Sequence, residues 1–264
     1  TPRDSNWSWR TPAALIAVAT LTVTIIIAAV AYYPSADSAD STRKQTDIAA
    51  SEASRLPKLK VARTAAYIDG DLKGVSDDGQ TKIGGLRGPL IDITFENRAN
   101  GPALIIKATL KFREMGEIAA CLDGGSGGVL GVSANYDFPV PNPLPEMPFH
   151  VEKEISFEVG ANEYDRLTLT TGPAASLGTP WFSIVDVVIE HDGGKKMQIG
   201  PFALIDTGMD QRFHPKPHDG WVVDVDDPSC LSEVSEITER LLGTPKVTAS
   251  KELKSLKVAL GAHN

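Results

Sequence analysis

From Ala13 to Tyr33 no side chain carries a charge, and the runs Leu15-Ile16-Ala17-Val18 and Ile25-Ile26-Ile27-Ala28-Ala29-Val30 are separated mainly by threonines. At a rise of about 1.5 Å per residue, a helix of roughly 20 residues covers the ~30 Å hydrocarbon layer of a bilayer. A threonine in such a helix can return its hydroxyl to the preceding turn. Trp7 and Trp9 precede the run and Tyr32 and Tyr33 close it, at the depths where aromatic belts form. The segment 13–33 therefore reads as a single transmembrane helix that contacts the lipid bilayer directly.

Its flanks give it a direction. Arg3 and Arg10 lie before the span, whereas Asp37 and Asp40 follow it and no Lys or Arg occurs until Arg43. Positive charge stays on the cytoplasmic side. Residues 1–12 are thus expected to be a short cytoplasmic segment, with everything after the span outside the cytoplasm. The alternative is a cleaved signal peptide, since Ala29-Val30-Ala31 has the small-x-small form of a cleavage site. Both readings place the bulk of the chain beyond the cell membrane.

Residues 34–57 are polar and small, running Pro34-Ser35-Ala36-Asp37-Ser38-Ala39-Asp40-Ser41-Thr42 into an Ala/Ser-rich stretch. Such a composition cannot bury a core and reads as a stalk. Fully extended it would reach roughly 70 to 80 Å, and less if 47–55 coils into a helix.

After Pro57 the hydrophobic period becomes two. Ile91-Asp92-Ile93-Thr94-Phe95-Glu96 and Ile106-Lys107-Ala108-Thr109-Leu110-Lys111-Phe112 both alternate, as strands with one buried face do. Asn97-Arg98-Ala99-Asn100-Gly101 between them has turn chemistry and predicts an antiparallel hairpin. Further strands are expected over 59–67, 151–159, 166–171, 182–190 and 196–205. The run 182–190 is apolar on both faces, as a central or covered strand would be. Asp192-Gly193-Gly194 should turn it tightly into the next strand. About seven strands over some 150 residues, without alternating helices, predict an antiparallel, immunoglobulin-like β-sandwich over 58–206.

The tail differs. Leu231, Val234, Ile237 and Leu241 recur at helical steps that end at Gly243 and Pro245, and Leu253, Leu256 and Leu260 repeat the pattern. Residues 207–264 are thus expected to form a loop and short C-terminal helices, packed on the sandwich or on a second copy. Within the β region, 122–149 breaks the alternation with Gly124-Gly125-Ser126-Gly127-Gly128 and prolines at 139, 141, 143, 145 and 148. It is either a Pro-rich crossover or a partner-binding loop.

Charge and cysteine content narrow the function classes. A formal net charge of -8 opposes a broad basic face, so nucleic acid is excluded as a main partner. The two cysteines, Cys121 and Cys230, fall in the extracytoplasmic part, where an oxidising compartment permits a disulfide. Neither has a Cys or His at zinc-ligand spacing, and no metal or cofactor is expected.

Phe202-Ala203-Leu204-Ile205-Asp206-Thr207-Gly208 resembles the hydrophobic-hydrophobic-Asp-Thr-Gly signature of retroviral-type aspartic proteases. The resemblance implies Asp206 as the catalytic carboxylate of a homodimer, with two close carboxylates sharing a proton. It covers about a tenth of the chain. Met209 stands where that family has a small residue, and Leu241-Leu242-Gly243 follows too soon for a flap and returning strands. The plain reading is a strand ending in an Asp-Thr-Gly turn.

Other motifs are incomplete. Gly124 to Gly128 has nucleophile-elbow spacing without the strand and helix such an elbow requires. Asp69-Gly70-Asp71-Leu72-Lys73-Gly74 begins like an EF-hand loop, but Lys73 and Gln80 replace ligands. Prolines 215 and 217 keep His214 and His218 off a helix, and Asp224, Asp226 and Asp227 read as an acidic patch.

The sequence therefore predicts a membrane-anchored, extracytoplasmic β-sandwich acting as a non-enzymatic accessory or assembly module, with membrane or envelope proteins as partners. An anchored aspartic protease using Asp206 is one alternative. A single-span subunit of a membrane complex, in which the helix itself makes the contact, is the other.

Overall fold

The computed structural model describes residues 43–49, 51, 56–75, 82–118, 136–141, 143–173, 180–207, 213–216, 220–225 and 227–262, with 70, 71, 73–75, 82–87 and 173 described through their backbone alone. The chain divides into two compact units, Thr1–Ser54 and Arg55–Asn264. In the first, residues 43–49 form a helical segment, α1, exposed along its length. The expected span at 13–33 lies outside the described residues, and among those described no helix is long and apolar enough to cross a membrane.

The second unit is mainly β. Its strands are β1 (Leu59–Val75), β2 (Lys82–Asn97), β3 (Ala103–Glu117), β4 (Tyr136–Val140), β5 (Phe149–Val159), β6 (Tyr164–Pro173), β7 (Trp181–His191), β8 (Lys195–Asp206), β9 (Phe213–Pro215), β10 (Trp221–Val223) and β11 (Thr248–Ala249). Helices α2 (Pro228–Gly243) and α3 (Lys251–Gly261) follow β10 and β11 respectively. One sheet has the order β1-β2-β6-β4 and the other β11-β8-β7-β3-β5, while β9 and β10 form a small separate hairpin. Pairing is antiparallel except where β4 joins β6 and β11 joins β8.

Alternation decides what lies between the sheets. Ile91, Ile93 and Phe95 of β2 and Leu167 and Leu169 of β6 meet Ile105, Ala108, Leu110 and Phe112 of β3 and Val185, Val187 and Ile189 of β7 in one core. Burying each large apolar side chain contributes roughly 1.5–3 kcal/mol, so this face-to-face layer is the main stabilising term.

The expected hairpin between β2 and β3 is corrected by the pairing. β2 lies between β1 and β6, and β3 lies between β5 and β7 in the other sheet. Residues 98–102 carry the chain from one sheet to the other, and the two strands face each other across the core. Alternation marks a buried face but not a lateral neighbour, and a short polar turn suits either connection. Buried Asn97 makes the crossing possible: its Nδ2 donates to the carbonyls of Gly101 (2.8 Å), Gly160 (3.1 Å) and Val159 (3.2 Å), and its Oδ1 accepts from Ala99 N (3.1 Å).

β7 is buried on both sides because the sheet is covered twice. Phe182 and Ile184 of β7, with Ala203 and Ile205 of β8, face away from the sandwich interior into a second core with Val234, Ile237 and Leu241 of α2 and Leu253, Leu256 and Leu260 of α3. Asp227 caps α2 through Ser229 N (2.8 Å), and Ser250 caps α3 through Leu253 N (2.9 Å). Arg240 of α2 pairs with Glu114 of β3 at 2.7 Å and lies 5.3 Å over the Phe182 ring. Gly116 leaves room for that ring, since a Cβ there would stand 2.9 Å from it. Lower on the same face the helices end, and cross-strand neighbours Lys196, Glu190, Lys107 and Glu154 alternate in sign across four strands, as suits a solvated surface.

The register also sorts the connections. Residues 98–102, 160–163 and 192–194 turn at one end of the sandwich, where β1 also begins. There Asp192 N donates to Leu104 O (3.0 Å), Leu104 N to Asp192 Oδ1 (2.9 Å), and Asn162 N to Ala99 O (3.1 Å). At the opposite end β1 leaves at Val75, β3 at Glu117, β4 at Val140, β6 at Pro173 and β8 at Asp206. Every longer connection starts from that second end.

Candidate functional site

The loop-bearing end holds the residue the sequence singled out. Asp206, the last residue of β8, lies opposite Trp181, the first of β7. Both side chains turn into the sandwich, where Trp181 Nε1 donates to Asp206 Oδ2 at 3.0 Å. The indole is buried and crosses to the other sheet, and a Cβ at Gly172 of β6 would lie 3.3 Å from it. A Cβ at Gly88 of β2 would lie 3.2 Å from the Leu72 side chain and 4.0 Å, an ordinary contact, from Asp206 Oδ2. A carboxylate held this way joins strands and satisfies an indole N–H that would otherwise be buried without a partner.

Ser183, two residues along β7, and Thr207, next to Asp206, are fully buried, and their hydroxyls find no hydrogen-bond partner among the described residues. Gly208 and Met209, needed to judge the Asp-Thr-Gly resemblance further, lie outside the described residues. The hairpin before the motif, Val185 to Ile199, is present as β7 and β8. After the motif β9 and β10 form a short hairpin, held by Lys216 N to Gly220 O at 3.0 Å. Three-residue strands interrupted by prolines leave too short a pattern for periodicity to register.

The other carboxylates are spread over the sandwich. Asp137 of β4 sits beside Thr170, whose hydroxyl donates to it at 3.3 Å. Burial pushes the Asp137 carboxyl above its ordinary value, partly offset by Thr170 and by the charge of Lys153. On the outer face of the same sheet Arg166 bridges Asp92 (2.8 Å) and the Tyr67 hydroxyl (2.9 Å). Glu96 is held at about 2 by Arg98 and Lys60. Asp186, buried in β7, accepts from two nitrogens of Arg113, Nε and, at 2.8 Å, Nη2. Each is a local ion pair or hydrogen bond on a strand surface.

The remaining sequence candidates do not converge. Asp69 lies within β1 opposite Gly88, so the EF-hand-like stretch is strand, not loop. Asp227 is spent on capping α2, and its bonds from Ser229 lower its carboxyl. His214 is in β9, with Nδ1 buried and unpartnered among the described residues, and His218 and Asp226 lie outside them. Among the described residues no group of three or more His, Cys, Asp or Glu is placed to hold a metal. Cys230, near the start of α2, is completely buried in the second core, and no described cysteine is free. Cys121 and Gly124 to Gly128 lie outside the described residues.

Two structurally important residues had only weak sequence signals. Asn97 reads as turn chemistry but ties together three segments. Tyr136 reads as part of an irregular, proline-rich stretch, yet it opens a strand and reaches across to β5.

No family model matches the sequence, and no curated protein matches it. Solved structures overlap it loosely. The archaeal flagellum of Methanospirillum hungatei strain JF1 is 10% identical, with 71% of this chain and 89% of that one covered and a TM-score of 0.24. An X-ray structure of a Northeast Structural Genomics Consortium target is 9% identical, covers 60% and 95%, and has a TM-score of 0.23. Overlaps at these scores assign neither fold nor function.

Proposed function

We propose that this chain is a single-pass membrane protein whose immunoglobulin-like β-sandwich lies outside the cytoplasm and binds other proteins through the end that carries its long connections. The observation that carries the reading is the asymmetry of the two ends. One is closed by short turns hydrogen-bonded to one another and receives the chain at Leu59. At the other, β1, β3, β4, β6 and β8 end, and the connection that leaves β4 there holds the exposed residues Pro143, Glu146 and Met147. Loops grouped on a rigid scaffold are where sandwich domains place recognition.

The anchor is supported by the uncharged run 13–33 and its flanks. The immunoglobulin-like label is supported by the spatial order of the strands: β1-β2-β6-β4 and β8-β7-β3-β5 follow the A-B-E-D and G-F-C-C′ arrangement, except that β4 runs parallel to β6 and precedes β5 in the chain. A disulfide between Cys121 and Cys230 belongs to the same proposal. It is supported by the absence of a free cysteine among the described residues and by Ile118, three residues before Cys121, sharing the core around Cys230. Such a bond would fasten a loop-end connection to α2 in an oxidising compartment.

The non-enzymatic reading is supported by Asp206, the catalytic candidate of the sequence, accepting the hydrogen bond of the buried Trp181 indole. Its test is capture of partners from membranes of the source organism by the full chain and by a Glu146→Arg, Met147→Glu variant. A partner retained by the first and lost by the second supports it, and equal capture by both refutes it.

A further inference from the structure

β5 is an outer strand of its sheet, and outer strands present backbone groups that another chain can pair with. Between the pairs Ile105 with Phe157 and Lys107 with Glu154 the register shifts, so two residues of β5, Ile155 and Ser156, stand against one of β3. Such a bulge leaves an extra residue unpaired. At Ser156 both backbone groups are nevertheless satisfied from the opposite sheet: the Tyr136 hydroxyl donates to Ser156 O at 2.9 Å and accepts from Ser156 N at 3.3 Å. Lys153 reinforces the contact by donating to Asp137 O at 3.2 Å. The Tyr136 ring packs against the main core, and β4 is fixed to β6 by parallel pairing, so the phenol is held in place and not merely resting there.

We infer that Tyr136 is an edge guard, a side chain that occupies the two backbone groups a strand from a second copy of this chain would use on β5. One phenol supplies both the donor and the acceptor that such a strand would bring. Glu152, Glu154 and Glu158 outnumber Lys153 among the exposed charges of this strand and act in the same direction, because β5 against β5 would bring together two strands of net negative charge. The guard keeps the open side of the sandwich closed to self-association and leaves binding to other surfaces.

Tyr136→Phe in the full chain tests this, because it keeps the ring and removes only the hydroxyl. Hydrogen exchange at the Ser156 amide is expected to be about tenfold faster in the variant, the loss of one hydrogen bond, with amides paired to β3 unchanged. The variant's mass by light scattering should rise with concentration beyond that of the unsubstituted chain. Adding Ser156→Pro, which removes the donor a new strand would need and is tolerated on an edge, should return it to the original mass. Unchanged exchange at Ser156, or a variant mass that never exceeds the original, overturns the inference.

Discussion

Trp181 and Asp206, the first residue of β7 and the last of β8, are joined by a hydrogen bond of 3.0 Å inside the loop-bearing end of the sandwich. The bond gives the carboxylate of the Asp-Thr-Gly motif a structural task. Asp206→Ala is expected to lower the unfolding free energy by about 1.5–3 kcal/mol, the range for a hydrogen bond to a charged group whose partner is then stranded. Asp206→Asn keeps an acceptor and should cost less. Denaturant titration followed by tryptophan fluorescence checks the order. Acid-favoured peptide cleavage by the intact chain, abolished by Asp206→Ala, would instead support the protease alternative.

Asn97 should be among the costliest polar positions. Its side chain bonds Gly101, Val159 and Gly160 carbonyls and the Ala99 amide, so Asn97→Ala leaves several buried backbone groups unpaired at once. A loss of about 3 kcal/mol or more is expected, against less than about 1 for Asn100→Ala on the exposed turn nearby. Thermal unfolding of the two variants side by side measures the difference.

Glu96 makes part of the stability pH-dependent. Arg98 (2.6 Å) and Lys60 (2.8 Å) hold its carboxyl at about 2 in the fold, below the value near 4.3 of an unfolded chain. A depressed carboxyl stabilises above the unfolded value and loses that contribution as pH falls toward the folded one. Glu96→Gln should therefore be less stable than the unsubstituted chain at pH 7, and the gap should close between about pH 4 and pH 2. Unfolding midpoints across that range read the convergence.

Asp137 has the opposite sign. Burial raises its carboxyl, so the fold prefers the protonated form, and above the folded value the ionised group opposes folding. Asp137→Asn keeps an oxygen for Thr170 and removes the buried charge. It should raise the unfolding midpoint at pH 7 and lose that advantage below the ordinary aspartate value, in the same denaturation series.

Much of this architecture could be read from hydrophobic period. The seven stretches expected as strands each have a counterpart in β1, β2, β3, β5, β6, β7 or β8, and the two leucine-stepped stretches are α2 and α3. The double burial of 182–190 follows from the helices on its outer face. Period alone could not choose neighbours, so β2 and β3 were expected side by side and instead face each other across the core. β4 escaped because Pro139 and its proline-rich flank hide the alternation of Tyr136, Phe138 and Val140, all of which pack on the core. The setting of Asp206 was illegible for a different reason: its partner Trp181 is 25 residues away in sequence, and a local motif cannot report a contact across a strand pair.

The central claim, that one end of the sandwich binds protein partners, is tested most directly by the affinity of a captured partner for two variants of the full chain. Glu146→Arg with Met147→Glu alters the loop-bearing end, and Lys195→Glu alters the short-turn end. The account predicts at least a tenfold rise in Kd, about 1.4 kcal/mol, for the first and none for the second. Affinity unchanged by the first variant, or weakened only by the second, would contradict it.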